Sequence, residues 1–188
     1  MRDDKGFSLV ELVVVIAIMA VMGGVLIYSF SLVTGQEARQ CASNLSTALN
    51  KAKNVALTKS GSSDAFMELS RETDGGYVVQ YFVPASPVDD GADPAVSGSY
   101  NQLDKETVGK KAVEITCFLQ DGTSFTISET SHLRIYYDRI SGAFKEAVWV
   151  NGGMLTKEYC EKITIKRGKL YQLTLVNATG KHSVERVN

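Results

Sequence analysis

The feature that most constrains this chain is a nearly uninterrupted apolar run near its N-terminus, from Phe7 to Phe30, whose one charge is Glu11. As a helix rising about 1.5 Å per residue, this run would reach roughly 36 Å, enough to cross a hydrocarbon core of about 30 Å. A cleaved secretory signal has a shorter apolar region and a small-x-small cleavage site behind it. The run therefore predicts a membrane anchor at residues 7–30.

Glu11 predicts that the anchor does more than hold the chain in a membrane. An uncompensated carboxylate at such a position costs at least about 2.5 kcal/mol and usually marks a function. If the chain were cut between Gly6 and Phe7, the new ammonium on Phe7 would lie one helical turn before Glu11. Gly6 has no Cβ, so a protease could approach that bond closely. The positive helix end would also favour an acid in the first turns.

The stretch Lys5-Gly6-Phe7-Ser8-Leu9-Val10-Glu11-Leu12, followed by the apolar run, resembles the type IV pilin and pseudopilin precursors. The resemblance implies a leader at residues 1–6, cleavage after Gly6 and N-methylation at Phe7 by a membrane prepilin peptidase. It also implies that Glu11 guides assembly with other pilin or pseudopilin subunits into a helical fibre. The precursor would be a single-pass protein of the inner (cytoplasmic) membrane, and the fibre would be extracellular or periplasmic.

Residues 31–60 predict that the helix continues beyond the anchor as an amphipathic half. Apolar and small residues recur there at steps of three and four, which is typical of a helix with one buried stripe. The members of this stripe are Ala38, Cys41, Ala42, Leu45, Ala48, Leu49, Ala52, Val55 and Ala56. Their small size would let the helix lie close against a sheet. Gly61 is the predicted stop.

Beyond Gly61 the apolar period changes to two, which predicts strands. The predicted strands are 77–83, 112–118, 124–128, 133–138, 144–150, 161–166 and 170–176. Short connections between them favour antiparallel pairing. Residues 84–103 contain all three prolines of the chain and predict a long loop. The expected fold is therefore α+β, with one long helix packed on an antiparallel β domain at residues 61–188, which is the pilin architecture.

Two further stretches refine the resemblance. Residues 48–57 and 173–180 look more like the minor pilins and the H-type minor pseudopilin of type II secretion than like a major pilin. The expected function is thus a structural subunit of a type IV pilus or of a type II secretion pseudopilus. Net charge, −1 at pH 7, points to no partner class.

The sequence predicts no enzymatic activity, no cofactor and no metal site. His132 and His182 are the only histidines, and neither lies in a metalloprotease or triad-like pattern. The acidic run from Asp89 to Asp93 lacks the spacing of a calcium-binding EF-hand loop. The expected role is therefore not catalytic.

The cysteines allow two interpretations. Cys117 and Cys160 both lie in strand-like runs of an exported domain and could form a disulfide, while Cys41 lies on the apolar stripe of the helix. Alternatively, all three are buried thiols that pack as small hydrophobic groups.

A basic hairpin tip at Lys166, Arg167 and Lys169 also allows two interpretations. These cations could contact DNA phosphates, which would make the chain a minor tip pilin that binds DNA or a surface. They could instead protect a sheet edge from pairing with other chains. The second interpretation is favoured, because Tyr171 is the only aromatic residue near the tip and stacking normally contributes to single-strand binding.

Overall fold

One helix of 51 residues, α1 from Leu9 to Lys59, runs unbroken through both predicted halves of the N-terminal region. The computed structural model describes residues 9–59, 65–85, 100–152 and 154–187, and the side chains of residues 25–34 lie outside this description. An acid, Glu11, lies in the first turn of α1 and a base, Lys59, lies in the last, which is the arrangement that the helix dipole favours. The predicted stop at Gly61 lies outside the described residues.

The remaining described elements are strands. They are β1 (Phe66–Arg71), β2 (Tyr77–Pro84), β3 (Tyr100–Gly109), β4 (Glu114–Leu119), β5 (Ser124–Thr126), β6 (Ser131–Tyr136), β7 (Ala147–Asn151), β8 (Met154–Glu158), β9 (Cys160–Arg167), β10 (Lys169–Val176) and β11 (Lys181–Val187). The α+β class predicted from the change of period is confirmed.

The strands form two sheets. The first has the order β3-β2-β1-β6-β7-β8 and the second has the order β11-β10-β9-β4-β5. All described strand pairs are antiparallel, as the short turns predicted. The sheets meet where the ring of Phe125 on β5 stacks on that of Trp149 on β7, with centroids 4.4 Å apart.

The second half of α1 lies in the core between strands of both sheets. Every member of the predicted stripe is buried there except Val55, which is partly buried. The small side chains bring the helix close enough for tyrosine hydroxyls to reach its backbone. Tyr137 donates a hydrogen bond to the carbonyl of Leu49 at 2.9 Å, and Tyr81 donates one to the carbonyl of Ala48 at 3.4 Å.

Four strands were missed by the sequence prediction, namely β1, β3, β8 and β11. The loop predicted at residues 84–103 is wrong at its C-terminal end, because β3 begins at Tyr100. This strand is the edge of its sheet and most of its side chains are exposed, so it shows no apolar alternation. Residues 86–99 of the predicted loop lie outside the described part of the chain.

Along the part of the chain that the structure describes, no helical segment combines the length and the apolar character that crossing a bilayer requires. The span predicted at residues 7–30 is therefore not confirmed.

Candidate functional site

The first half of α1 presents an apolar surface to its surroundings. Its large side chains between residues 9 and 22 are all at least 46 % exposed. They are Leu9, Val10, Leu12, Val13, Val14, Val15, Ile16, Ile18, Met19, Val21 and Met22. Monomeric soluble proteins rarely expose contiguous apolar patches of this kind, and larger ones mark surfaces that bind proteins or membranes.

Glu11 lies on this apolar half, in the first turn of α1, and is exposed. The N–H groups of a helix's first turn favour an acid at such a position. Gly6 and Phe7, the predicted cleavage and methylation sites, lie outside the described residues. Their roles, and that of Glu11 in assembly, stay predictions.

The second half of α1 is fixed to the sheets near its N-terminal end by Glu37. One oxygen of this carboxylate pairs with the guanidinium of Arg167, the last residue of β9. The other lies 3.6 Å from Nζ of Lys110, in the turn between β3 and β4. Only 17 % of the Glu37 side chain is exposed, so the acid is held beneath its two partners. The turn that joins the first sheet to the second, and the β9–β10 turn of the second sheet, are thereby attached to the same point of the helix.

Gly35 completes this junction by letting the aliphatic part of Lys169 lie directly on the helix. A Cβ at residue 35 would come within 2.7 Å of Cδ of Lys169, which is closer than real contacts allow. A side chain at this position would therefore displace the aliphatic part of Lys169 from the helix.

The predicted basic tip is thus divided between two environments. Lys166 is exposed, whereas Arg167 binds Glu37 and Lys169 packs on Gly35. The structure brings the three residues to one turn, but two of them contact the helix. DNA binding at this tip stays a prediction, and the sequence analysis missed Glu37 as the partner of Arg167. The signal available was the Gly35-Gln36-Glu37 step, a glycine and an acid where the amphipathic half begins.

Beside the junction, a groove of about 180 Å³ separates α1 from the last residues of β3. Its walls include Gln40, Cys41 and Asn44 from the helix and Val108 and Gly109 from the strand. The side-chain amide of Asn44 donates a hydrogen bond to the Val108 carbonyl at 3.3 Å across it. Burial raises the pKa of the Cys41 thiol to about 12, so the thiol stays protonated and is a poor nucleophile.

All three cysteines are buried free thiols in the structure, so the disulfide predicted as one alternative is not formed there. Cys117 on β4 lies opposite Ile163, and Cys160 on β9 lies opposite Leu119. The two cysteines are therefore diagonal neighbours, for which Cα atoms are typically about 7–8 Å apart, beyond the usual reach of a disulfide. Burial raises the pKa of Cys160 to about 12 and that of Cys117 well above its ordinary value.

A charged cluster that the sequence analysis missed lies on the first sheet. Glu68 on β1 accepts a hydrogen bond from Nε of Arg134 at 2.6 Å and lies 3.5 Å from Nδ1 of His132. Burial alone would raise the pKa of Glu68, but its two cationic neighbours outweigh burial and lower it. The same contact with Glu68 raises the pKa of His132. The pair of Glu68 and Arg134 joins the neighbouring strands β1 and β6, and both side chains are largely buried.

No group of three or more His, Cys, Asp or Glu side chains is placed to hold a metal ion among the described residues. The acidic run from Asp89 to Asp93 lies outside them.

Comparison with known proteins gives one match, at the N-terminus. Residues 1–27 match the family model described as the prokaryotic N-terminal methylation motif. No curated protein and no solved structure gives a significant match to the chain. The matched region contains Gly6, Phe7 and Glu11, and the fold behind it is a long helix followed by antiparallel sheets. The chain therefore carries the prokaryotic N-terminal methylation motif at its N-terminus, on an α+β fold consistent with that of a pilin.

Proposed function

We propose that the mature chain is a structural subunit of a type IV pilus or of a type II secretion pseudopilus. The observation that supports this most is the exposed apolar first half of α1, which contains Glu11 and overlaps the methylation motif. A subunit that packs through such a surface needs other copies, or other pilins, to cover it. The domain formed by the two sheets would then lie on the outside of the fibre.

The proposed life of the chain has two stages. A prepilin peptidase removes residues 1–6 and the new amine of Phe7 is methylated, while the apolar half of α1 anchors the chain in the inner membrane. The mature subunit then leaves the membrane and joins a periplasmic or extracellular fibre. In both stages the apolar side chains from Leu9 to Met22 are covered, first by lipid and then by neighbouring helices.

Glu11 has a defined task in this proposal. When a subunit enters the fibre, its carboxylate pairs with the Phe7 amine of a neighbouring subunit. Such a pair attracts more strongly among packed apolar helices than in water, because the local dielectric constant is lower. Removing one partner of a buried pair typically costs about 3–5 kcal/mol, since the other charge stays buried without compensation.

The test compares two variants that should fail at different steps. In Gly6→Val, a side chain obstructs access to the Gly6–Phe7 bond, so we expect an uncleaved precursor. In Glu11→Ala, we expect normal cleavage and a loss of about a hundredfold or more from the fibre. The mass of each mature chain and its amount in sheared filaments distinguish the two failures.

Glu11→Gln serves as the matched control, because it keeps the size and hydrogen-bonding capacity of the side chain and removes only the charge. It should fail in the fibre as Glu11→Ala does. Wild-type assembly of both Glu11 variants would show that this acid does not guide docking. Normal cleavage of Gly6→Val would show that the peptidase acts elsewhere.

A further inference from the structure

The turns that surround the junction on α1 share a positive charge. The β3–β4 turn contributes Lys110 and Lys111, and the β9–β10 turn contributes Lys166, Arg167 and Lys169. We call these five residues the basic collar. Lys110, Lys111 and Lys166 are exposed, while Arg167 and Lys169 are half-buried against the helix. The collar therefore presents three lysines outward and uses its other two cations to hold the turns in place.

The acids at this end of the domain do not cancel the collar. Glu37 lies beneath Arg167 and is mostly covered. Glu72 pairs with Lys105, and Asp74, which is exposed, offsets one charge. Glu114 lies opposite Lys166 in the strand register and offsets one charge.

The distance of the collar from Phe7 along α1 indicates which surface the collar would face. Gly35, where Lys169 contacts the helix, is 28 residues beyond Phe7, and at about 1.5 Å per residue it lies roughly 42 Å along the helix. A bilayer entered at Phe7 has a hydrocarbon core of about 30 Å and a headgroup layer of roughly 5–8 Å beyond it. The lysines of the collar would therefore lie at the outer edge of the headgroups. Their distance from the lipid phosphates would be shorter than the Debye length of about 8–10 Å, so the charges would still attract.

We propose that the basic collar binds anionic lipid headgroups while the chain is anchored, and so holds the domain against the membrane surface before assembly. This inference rests on the membrane stage of the proposed function. Lys110, Lys111 and Lys166 contact the lipid phosphates. Arg167, through Glu37, and Lys169, on Gly35, keep the β9–β10 turn at a fixed height on the helix. Polybasic segments beside a membrane helix bind anionic surfaces in this way, and the attraction is sensitive to salt.

The test uses the full chain inserted into preformed vesicles, either of phosphatidylcholine alone or of phosphatidylcholine with phosphatidylglycerol. Hydrogen exchange is measured by mass spectrometry at the two turns, residues 109–112 and 166–169. A basic residue near an anionic surface contributes roughly a fivefold preference. We therefore expect exchange at both turns to slow by about tenfold or more in the anionic vesicles, and the effect to disappear at high salt.

Two matched triple variants give the control. Lys110→Gln with Lys111→Gln and Lys166→Gln should remove the slowing. Lys59→Gln with Lys157→Gln and Lys181→Gln changes three exposed lysines elsewhere and should keep it. Equal exchange in both vesicle types, or equal slowing in both triple variants, would overturn the proposal.

Two further measurements separate the other outcomes. Flotation of the chain with phosphatidylcholine vesicles tests the anchor itself. A chain that floats, but whose turns do not exchange more slowly in anionic vesicles, contradicts only the proposal for the collar. A chain that floats with neither vesicle type contradicts the membrane stage of the proposed function. Protection of the turns by a short DNA, with none from anionic lipid, would assign the collar to nucleic acid and overturn the lipid proposal.

Discussion

Glu37 is the residue at which the helix and both sheets are joined. It pairs with Arg167 at the end of β9 and lies near Lys110 in the turn that joins the two sheets. A carboxylate that is 17 % exposed has lost much of its hydration, so it is stable only with its partners in place. This single acid therefore affects how firmly the domain is attached to the helix.

We expect Glu37→Gln to lower the free energy of unfolding by about 1–2 kcal/mol, between the values for exposed and for buried ion pairs. The measurement is urea unfolding of the detergent-solubilised chain. Glu161→Gln, an exposed acid on β9, is the control and should change stability by less than about 0.5 kcal/mol. Equal effects of the two substitutions would show that the junction does not depend on the Glu37 pair.

The two histidines make opposite contributions to the dependence of stability on pH. The pKa of His132 is raised by Glu68, so the folded state holds its proton more tightly than the unfolded state. Its contribution is fully present below the ordinary value of 6.5 and is lost as pH rises through the raised pKa. The pKa of His182 is lowered by burial, although its ring contacts Ser46 at 2.8 Å. Its contribution is lost as pH falls below 6.5.

Single substitutions should separate these contributions. In His132→Gln only His182 titrates, so stability should rise with pH between about 5.5 and 7.5; in His182→Gln it should fall over the same range. Each change should be at most about 1 kcal/mol, and unfolding midpoints at several pH values measure it. A rise with pH in both variants would show that Glu68 does not bind the protonated form of His132.

Among the secondary-structure elements, the sequence predicted best those in which apolar side chains repeat at a regular spacing. The stripe from Ala38 to Ala56 repeats at helical spacing, and its burial is confirmed. The strands that were missed lack such a pattern. β3 and β11 are edge strands with mostly exposed side chains, and β1 is buried on both faces and therefore does not alternate. For contacts made across long sequence separations, such as Glu37 with Arg167, a local signal like the Gly35-Gln36-Glu37 step does not identify the partner.

Turns at the distal end of the domain allow a prediction with an internal control. Gly180 and Gly122 both have positive φ, 59° and 87°. A Cβ at Gly122 would meet open space, whereas one at Gly180 would clash with the backbone of Gly142. Gly122→Ala should cost about 1–2 kcal/mol for its φ alone. Gly180→Ala should cost about 1–3 kcal/mol more, because the two turns must separate. Equal losses in thermal unfolding would contradict the close approach of these turns.

For the whole molecule, the two halves of α1 have different surroundings. The side chains from Leu9 to Met22 are exposed, whereas those from Ala38 onward lie in the core of the domain. A fragment that begins at Thr34 keeps the buried half and removes the exposed one. We expect it to be soluble and to fold alone, because it retains Gly35, Glu37 and the whole described core.

Circular dichroism and size-exclusion chromatography measure this outcome. The fragment should give a monomer with a strand-dominated spectrum and one cooperative unfolding transition. Aggregation, or a spectrum without strand signal, would place the domain boundary nearer the N-terminus. The full chain in detergent, unfolded under the same conditions, shows whether the first half of α1 adds to the stability of the domain.

The stacking of Trp149 on Phe125 has a practical consequence. Trp149 is the single tryptophan of the chain, and its indole also donates a hydrogen bond to the hydroxyl of Ser131 at 2.8 Å. The fluorescence of Trp149 therefore reports on the contact between the two sheets. Far-ultraviolet circular dichroism reports instead on the helix. The chain therefore contains its own optical probe, with which opening of the seam and melting of the helix can be timed independently in one unlabelled sample.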